Sequence, residues 1–403
     1  MASTFESSID ALIASHKPGY ALAQPFYNDP QVFQRDIARI FTKQWSFAGH
    51  VSRIKNQGDY FLFTIGDESI IVIRGKDGEV NALFNVCRHR GSRVCVEAEG
   101  NKKALVCPYH AWTYTTDGSL SSAPAMLDGF DASQFGMRKC DVHIVEGLIF
   151  VRLDASTPRP PDSDAAFADL ERLFKPYRFA SAKIAASLVW RVRGNWKLVV
   201  ENFGECYHCR PTHPEYCSVM AHATPDTYKA PRAVEEFGKL KSEWEPRSKA
   251  LGFEIGNSES PLHYVGRLPI KEGFLTQSRD GKPVAPLMGD LKEYDGGYTS
   301  MRIYPLNYCI ASADHGLIPR FTPIGPELTE VEMIWLVKSD AVEGRDYDVA
   351  KLTWLWKVTT DQDKTLVDNN QAGVNSLAYR PGPYAKTEQG LTRFTTWYLA
   401  QIA

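Results

Sequence analysis

Apolar residues first fall into a helical rhythm at Phe33, Ile37, Ile40 and Phe41. Asp29-Pro30 stands just ahead of them, a capping residue followed by proline at the first helical position, so a helix is predicted to start there. From about Trp45 the rhythm shortens. Ser69-Ile-Ile-Val-Ile-Arg74 and Val80-Asn-Ala-Leu-Phe84 read as strands, and Asp77-Gly78 between them is the strongest hairpin signal in the chain. A further strand, Leu148-Ile-Phe-Val-Arg152, is followed by Ser156-Thr-Pro-Arg-Pro-Pro-Asp162, whose prolines and small polar residues suit an exposed connection. The stretch from Trp45 to that connection is therefore predicted to be all-β. Beyond it the pattern predicts a helix from about Asn195 to Cys209, a loop-rich middle, strands between Ser300 and Lys338, and a long helix from about Asp348 to Ala372. That succession belongs to the α+β class.

A chain of 403 residues exceeds the usual size of one domain. A boundary in the proline-rich connection gives a helical N-terminal segment, 1–44, packing on the larger domain, then a β-domain, 45–156, and an α+β domain, 157–403. Lysine and arginine (46) nearly balance aspartate and glutamate (48), so no charged field suggests nucleic acid or an anionic membrane. No apolar run approaches membrane-spanning length, and Met-Ala-Ser-Thr-Phe-Glu at the N-terminus is unlike a secretory signal. Eight scattered cysteines are unlike a secreted disulfide framework and point to a reducing cytoplasm.

Among those cysteines, Cys87-Arg-His89 and Cys107-Pro-Tyr-His110 form two short metal-ligand motifs, each with one thiolate and one imidazole. A two-iron, two-sulfur cluster with two cysteines on one iron and two histidines on the other needs this set, and imidazole in place of thiolate raises its potential. A Cys2His2 zinc site uses the same ligands, but zinc fingers carry their histidines as a pair on a helix. The motifs, with Arg90-Gly-Ser-Arg93 and Trp112 beside them, resemble the Rieske domain of the ring-hydroxylating oxygenase family. The resemblance implies that Cys87 and Cys107 hold one iron of a [2Fe-2S] cluster and that His89 and His110 hold the other. Cys95 fits neither motif and is read as a packed thiol.

A second constellation lies in Glu201-Asn-Phe-Gly-Glu205-Cys-Tyr-His208-Cys-Arg-Pro-Thr-His213. On a helix, Glu201, Glu205 and His208 share one face. His213 does not, but Pro211 is placed to end the helix and turn His213 back toward His208. Two histidines and one carboxylate form the facial triad of non-haem iron oxygenases. The long C-terminal helix offers that carboxylate, because Leu352, Trp356, Thr359, Asp363, Leu366 and Asn370 step along one face and Asp363 interrupts a mostly apolar stripe. Asp361 and Asp368 lie off it. Asp361-Gln-Asp363 with Gln371 also resembles the family's carboxylate motif, which implies Fe(II) bound by His208, His213 and Asp363. Hydrogen-bonded histidines, or a zinc or redox dithiol at Cys206-x-x-Cys209, are the alternatives; packing is the expected role of those cysteines.

The family resemblance implies an all-β Rieske domain with a helix-grip, START-like α+β catalytic domain. It also implies a homotrimer in which Glu205 lies between His110 of the partner subunit and His208 and carries electrons to the iron. Many members have aspartate at the Glu205 position. No Gly-x-Gly-x-x-Gly turn or second iron-sulfur motif is present, so a separate flavin and iron-sulfur NAD(P)H reductase is expected. The Lys338–Asp348 and Asn375–Tyr384 stretches, and Gln24-Pro-Phe-Tyr27, resemble the glycine betaine monooxygenase and stachydrine demethylase branch. That branch uses O2 to hydroxylate an N-methyl group of a quaternary ammonium compound and releases formaldehyde. Tyr207, Tyr304, Tyr308 and Trp356 are candidate walls for a fixed cation. An aromatic-ring hydroxylase or dioxygenase is the alternative within the family; an iron-sulfur carrier or sensor is the alternative of another class.

Overall fold

The computed structural model describes residues 2–221 and 231–403 and divides into two compact units, Phe41–Pro160 and Met1–Ile40 with Pro161–Ala403. The N-terminal unit portion carries helices α1 (Ala2–Ala14), α2 (Pro25–Asn28) and α3 (Pro30–Asp36). At the last of these the Asp29 carboxylate accepts from Gln31 N at 2.7 Å, the capping that the Asp-Pro signal foretold.

The Phe41–Pro160 unit is all-β. Strands β1 (Ser46–His50), β2 (Asp59–Ile65), β3 (Glu68–Arg74), β4 (Val80–Phe84), β5 (Glu99–Asn101), β6 (Leu105–Val106), β7 (Thr113–Tyr114), β8 (Leu120–Ser122), β9 (Asp141–Val145) and β10 (Leu148–Arg152) form sheets of order β1-β10-β9, β4-β3-β2-β5 and β6-β7-β8. The predicted hairpin is present: β3 and β4 pair antiparallel from Arg74↔Val80 onward, with Gly78 at φ 85° in the turn. Ser69 to Ile73 is buried without alternation, because both faces of β3 are covered.

The second unit is built on a seven-stranded antiparallel sheet. Its strands are β11 (Ala182–Val192), β12 (Asn257–Glu259), β13 (His263–Pro269), β14 (Gly297–Ile303), β15 (Asn307–Ala311), β16 (Gly316–Gly325) and β17 (Leu328–Lys338), in the order β11-β17-β16-β15-β14-β13-β12. Helices α4 (Ser163–Phe174), α5 (Trp196–Phe203), α6 (Cys209–Thr212), α7 (Pro214–Val219), α8 (Pro231–Ala250), α9 (Val349–Val374) and α10 (Gln389–Ile402) complete the unit. The long α9 packs against β11, α5 and α7, the helix-grip arrangement.

Three expectations are corrected. The loop-rich middle also carries a helix that the pattern did not predict: α8 runs for 20 residues, laced by Arg232–Glu236 and Lys241–Glu245 at i,i+4 spacing. The helix expected from Asn195 to Cys209 ends at Phe203, where Gly204 N bonds Glu201 O at 3.1 Å. The buried stripe of α9 runs through Leu352, Trp356, Thr359, Val367, Gln371 and Val374, while Leu366 is half-buried and Asn370 exposed. At 3.6 residues per turn the buried line drifts onto Val367 and Gln371.

Buried polar groups tie the N-terminal segment to α5. Asp36 accepts from Trp196 Nε1 at 2.9 Å and Tyr398 Oη at 2.8 Å, and pairs with Lys197; both partners of that ion pair are fully buried. Tyr27 Oη donates to Glu201 Oε1 at 2.9 Å. Burial pushes the Glu201 carboxyl up to about 8, against the Tyr27 hydrogen bond and the Lys197 charge. The folded state therefore holds a proton that the unfolded chain releases near 4.5, so this group's contribution is full below that pH and is lost as pH rises through 8. Glu201→Gln mimics the protonated form. Its melting temperature relative to wild type is expected to rise between pH 5.5 and 8.5; an unchanged difference across that range contradicts the account.

Candidate metal centres

Two loops of the β-unit fold into the same turn. Gly91 N bonds Cys87 O at 2.9 Å while Cys87 N bonds Ser92 O at 2.8 Å; Ala111 N bonds Cys107 O at 3.0 Å while Cys107 N bonds Trp112 O at 2.8 Å. In each, the residue four beyond the cysteine is left-handed, Gly91 at φ 80° and Ala111 at φ 57°. Alanine holds that conformation at a cost of roughly 1–2 kcal/mol, which the surrounding packing must offset. Buried Asn85 fastens the first loop, accepting from Val94 N and Cys95 N at 2.9 Å and donating to Cys95 O at 2.7 Å.

The turns place Cys87 and Cys107 in the core and leave His89 and His110 exposed, with ring centroids 4.6 Å apart. His89 stacks on Trp112 at 4.9 Å. Two buried thiols below two exposed imidazoles fit an inner and an outer iron better than a single tetrahedral ion. Cys95 is buried and its thiol is pushed up to about 11 by that burial, which leaves it inert. Tyr114 Oη accepts from Arg88 N at 3.0 Å and lies 3.2 Å from Cys87 Sγ, to which it would donate were that sulfur a thiolate ligand. A hydrogen bond to a ligand sulfur favours the reduced cluster. Tyr114→Phe is expected to lower the potential by about 40 mV, the one-electron equivalent of a bond worth ~1 kcal/mol. Voltammetry that finds no fall would contradict the assignment.

The second centre lies where α5 ends. Gly204 to Tyr207 are non-helical, so Glu205 and His208 do not continue the face of Glu201, which is turned to Tyr27. Pro211 does not end a helix either; it sits within α6, where a first-turn proline costs no hydrogen bond. The break falls at His213 (φ −116°, ψ 67°), directly before Pro214, which opens α7. The structure also joins Cys206 to Cys209 by a disulfide, in place of the packed thiols expected, because the turn around His208 brings their Cα atoms to 4.9 Å.

These turns gather His208, His213 and Asp363, whose ligand atoms lie within 4.8 Å of one another. Asp363 Oδ1 is 2.9 Å from His213 Nε2 and 3.4 Å from His208 Nε2. The opposite nitrogens are held: His208 Nδ1 by Glu205, and His213 Nδ1 by Gln362 Oε1 at 2.7 Å, with Gln362 anchored to Glu215 at 2.9 Å. Donation from each Nδ1–H leaves the Nε2 lone pairs aimed at one point, which suits a divalent ion. Burial raises the Asp363 carboxyl, but hydrogen bonds and charge from both imidazoles outweigh it and hold it below its ordinary value. Burial also opposes charge on His208, yet Asp363 and Glu205 raise it to about 9. A cation bound there would take the place of that proton. Asp361 and Asp368 are engaged elsewhere, accepting from Trp190 Nε1 and Arg193 N at 2.7 Å.

A cavity of about 610 Å³ opens on the triad. Tyr308 and Trp356 line it; Tyr207 is 48% exposed outside its lining, and Tyr304 packs instead on Phe394 and Trp397. Phe203, Tyr216, Tyr264 and Tyr298 line it as well and were not among the sequence candidates; Gln362 appears there only inside the carboxylate motif, without its role beside His213. Tyr216 lies three residues beyond His213, a helical spacing that marks it as a neighbour; Tyr264 and Tyr298 arrive through strand pairing and carry no local signal.

Residues 179–403 match the ring hydroxylating alpha subunit (catalytic domain) family, and residues 44–133 match the Rieske [2Fe-2S] domain. The chain is 40% identical to the glycine betaine monooxygenase oxygenase subunit of Pseudomonas aeruginosa (strain UCBPP-PA14), over 96% of this chain and 90% of that protein. It is 38% identical to the subunit of the same name from Chromohalobacter salexigens, over 96% and 87%. The crystal structure of the quaternary ammonium Rieske monooxygenase CntA in complex with L-carnitine shares the fold, with a TM-score of 0.72 at 22% identity over 97% of this chain and 98% of that one. With a Rieske donor set in one unit and a two-histidine, one-carboxylate centre in the other, the chain belongs to the Rieske-type ring-hydroxylating oxygenase family, as an alpha subunit carrying a [2Fe-2S] cluster and a mononuclear iron.

Proposed function

We propose that this oxygenase hydroxylates an N-methyl group of a quaternary ammonium compound such as glycine betaine or proline betaine. One oxygen atom of O2 enters the C–H bond, the other leaves as water, and the resulting N–CH2OH group collapses to formaldehyde and the demethylated amine. The near-full-length likeness to glycine betaine monooxygenase oxygenase subunits carries this reading.

His208, His213 and Asp363 would hold the iron, and Cys87, His89, Cys107 and His110 the cluster. When bound, these groups supply dioxygen activation and the electrons it needs. The residues around them do the rest. Glu205 and Gln362 orient the two imidazoles, while Phe203, Tyr216, Tyr308 and Trp356 offer ring faces to a methylated cation, at about 0.5 to 2 kcal/mol each. Ring faces attract a methylated cation through their π-electron density.

The remaining assignments extend the same reading. Exposed His110 would pass electrons to Glu205 of the partner subunit in a homotrimer, and a separate flavin and iron-sulfur NAD(P)H reductase would supply them. We keep domain limits of 1–44, 45–156 and 157–403 as part of this reading; the compact units themselves are Phe41–Pro160 and Met1–Ile40 with Pro161–Ala403. Among the described residues no helix is long and apolar enough to cross a membrane, and we place the enzyme in the cytoplasm. The test is a panel: purified protein, a surrogate reductase, NADH and either betaines or arenes. Formaldehyde with a demethylated betaine is expected; a phenol or cis-diol from an arene, with no formaldehyde from any betaine, would establish the aromatic alternative.

A further inference from the structure

The cavity beside the triad is lined by a guanidinium that meets no carboxylate among the described residues. Arg302, on β14, lines it, and the buried Nε has no hydrogen-bond partner. Among the described residues no carboxylate lies within ion-pair distance of Arg302, whereas Arg393, the other guanidinium of the lining, is paired with Glu259 at 2.8 Å. Arg302 stands over the ring of Tyr304 at 5.0 Å. Burial raises the pKa of the Tyr308 hydroxyl, and the Arg302 charge beside it opposes that rise. The guanidinium lies beside two glycines of the lining: a Cβ on Gly204 would stand 3.4 Å from Nη1, and one on Gly390 would stand 3.9 Å and 4.0 Å from Nη1 and Nη2, ordinary van der Waals contact.

Rings connect this cation to the triad. His213 meets Tyr216 at 6.3 Å between centroids, Tyr216 meets Trp356 at 5.7 Å, Trp356 meets Phe203 at 6.1 Å, and Phe203 meets Tyr308 at 4.8 Å. A partly buried charge without a counter-ion is costly, so its place in a ligand cavity points to an anion that arrives with the ligand. A planar guanidinium matches a carboxylate with two parallel N–H donors.

We propose that Arg302 anchors the carboxylate of a zwitterionic substrate whose methylated ammonium lies over the aromatic wall beside the triad. This rests on the quaternary ammonium reading and narrows it to cations that also carry a carboxylate, with choline-like alcohols excluded. The ammonium and the carboxylate then occupy separate parts of one cavity, so the wall sets which methyl group faces the metal and Arg302 sets the reach of the molecule.

The test is equilibrium binding to the metal-loaded full chain, without reductase, of glycine betaine and of choline. The two share a trimethylammonium head, and choline has an alcohol in place of the carboxylate. Wild type is expected to prefer glycine betaine at least tenfold. Arg302→Gln is expected to weaken glycine betaine by about ten- to a hundredfold, the worth of a hydrogen-bonded charge, and to leave choline within about twofold. Arg302→Lys, which keeps the charge and loses the fork, is expected to fall between and covers the case in which the glutamine variant fails to fold. In turnover the loss is expected in KM with little change in kcat. A betaine preference that survives in both variants, or equal weakening of the two ligands, overturns the anchor and leaves the demethylase reading intact. Wild type that binds neither cation overturns both.

Discussion

Asp363→Ala is expected to lose one equivalent of iron per chain and all measurable coupled turnover, with acid-labile sulfide and the cluster spectrum unchanged. The carboxylate meets both imidazoles, at 2.9 Å and 3.4 Å, and reaches them from α9 across a gap that no other acid of that helix spans. Loss of a group that merely orients a ligand costs roughly 10- to 100-fold in metal affinity or activity, and loss of a ligand itself costs more. The cluster is expected to persist because its four proposed donors lie in a separate compact unit, held by their own turns and by Asn85. Asp361→Ala is the control: that carboxylate is exposed, bonds Trp190 and Lys357, and its loss is expected to leave iron content at the wild-type value. Retention of the iron by Asp363→Ala would remove the aspartate from the ligand set.

Glu205→Gln carries the second large effect. Glutamine keeps the length of the side chain and one carbonyl oxygen to receive His208 Nδ1–H, so both metal sites are expected to fill. It lacks the negative charge that, with Asp363, lifts His208 to about 9 against burial. The reduced cluster is then expected to be reoxidised in the presence of substrate and dioxygen about 10- to 100-fold more slowly, the range for loss of an outer partner of a metal ligand. Stopped-flow absorbance of the cluster reads this directly. Unchanged coupled turnover would sink the bridging role.

The two centres differ in how far the chain announces them. Cys87, His89, Cys107 and His110 are local: each pair shares a turn closed by its own backbone hydrogen bonds, so short-range spacing carries the geometry. His208 and His213 are close in sequence, yet sequence alone points to Pro211 as the turn between them, whereas the break occurs before Pro214. The end of α5 was missed for a long-range reason. Glu201 is drawn to Tyr27, 174 residues earlier, while Glu205 is needed at His208 just past Gly204, and one helix face does not serve both. Helix α8 was legible in principle, since charges such as Lys241 and Glu245 recur at i,i+4, but its low apolar content left the periodicity faint. Tyr264, Tyr298 and Arg302 had no local signal. They meet because β13 and β14 pair with Tyr264 opposite Arg302, a register set by the sheet rather than by any short segment.

Uptake of dioxygen and release of formaldehyde, followed together with glycine betaine labelled in its N-methyl carbons, test the central claim most directly. The account predicts that betaine stimulates oxygen uptake in the presence of a reductase and NADH, and that labelled formaldehyde appears in step with the oxygen consumed. Oxygen uptake that betaine leaves unchanged, with the label remaining on the substrate, would contradict it.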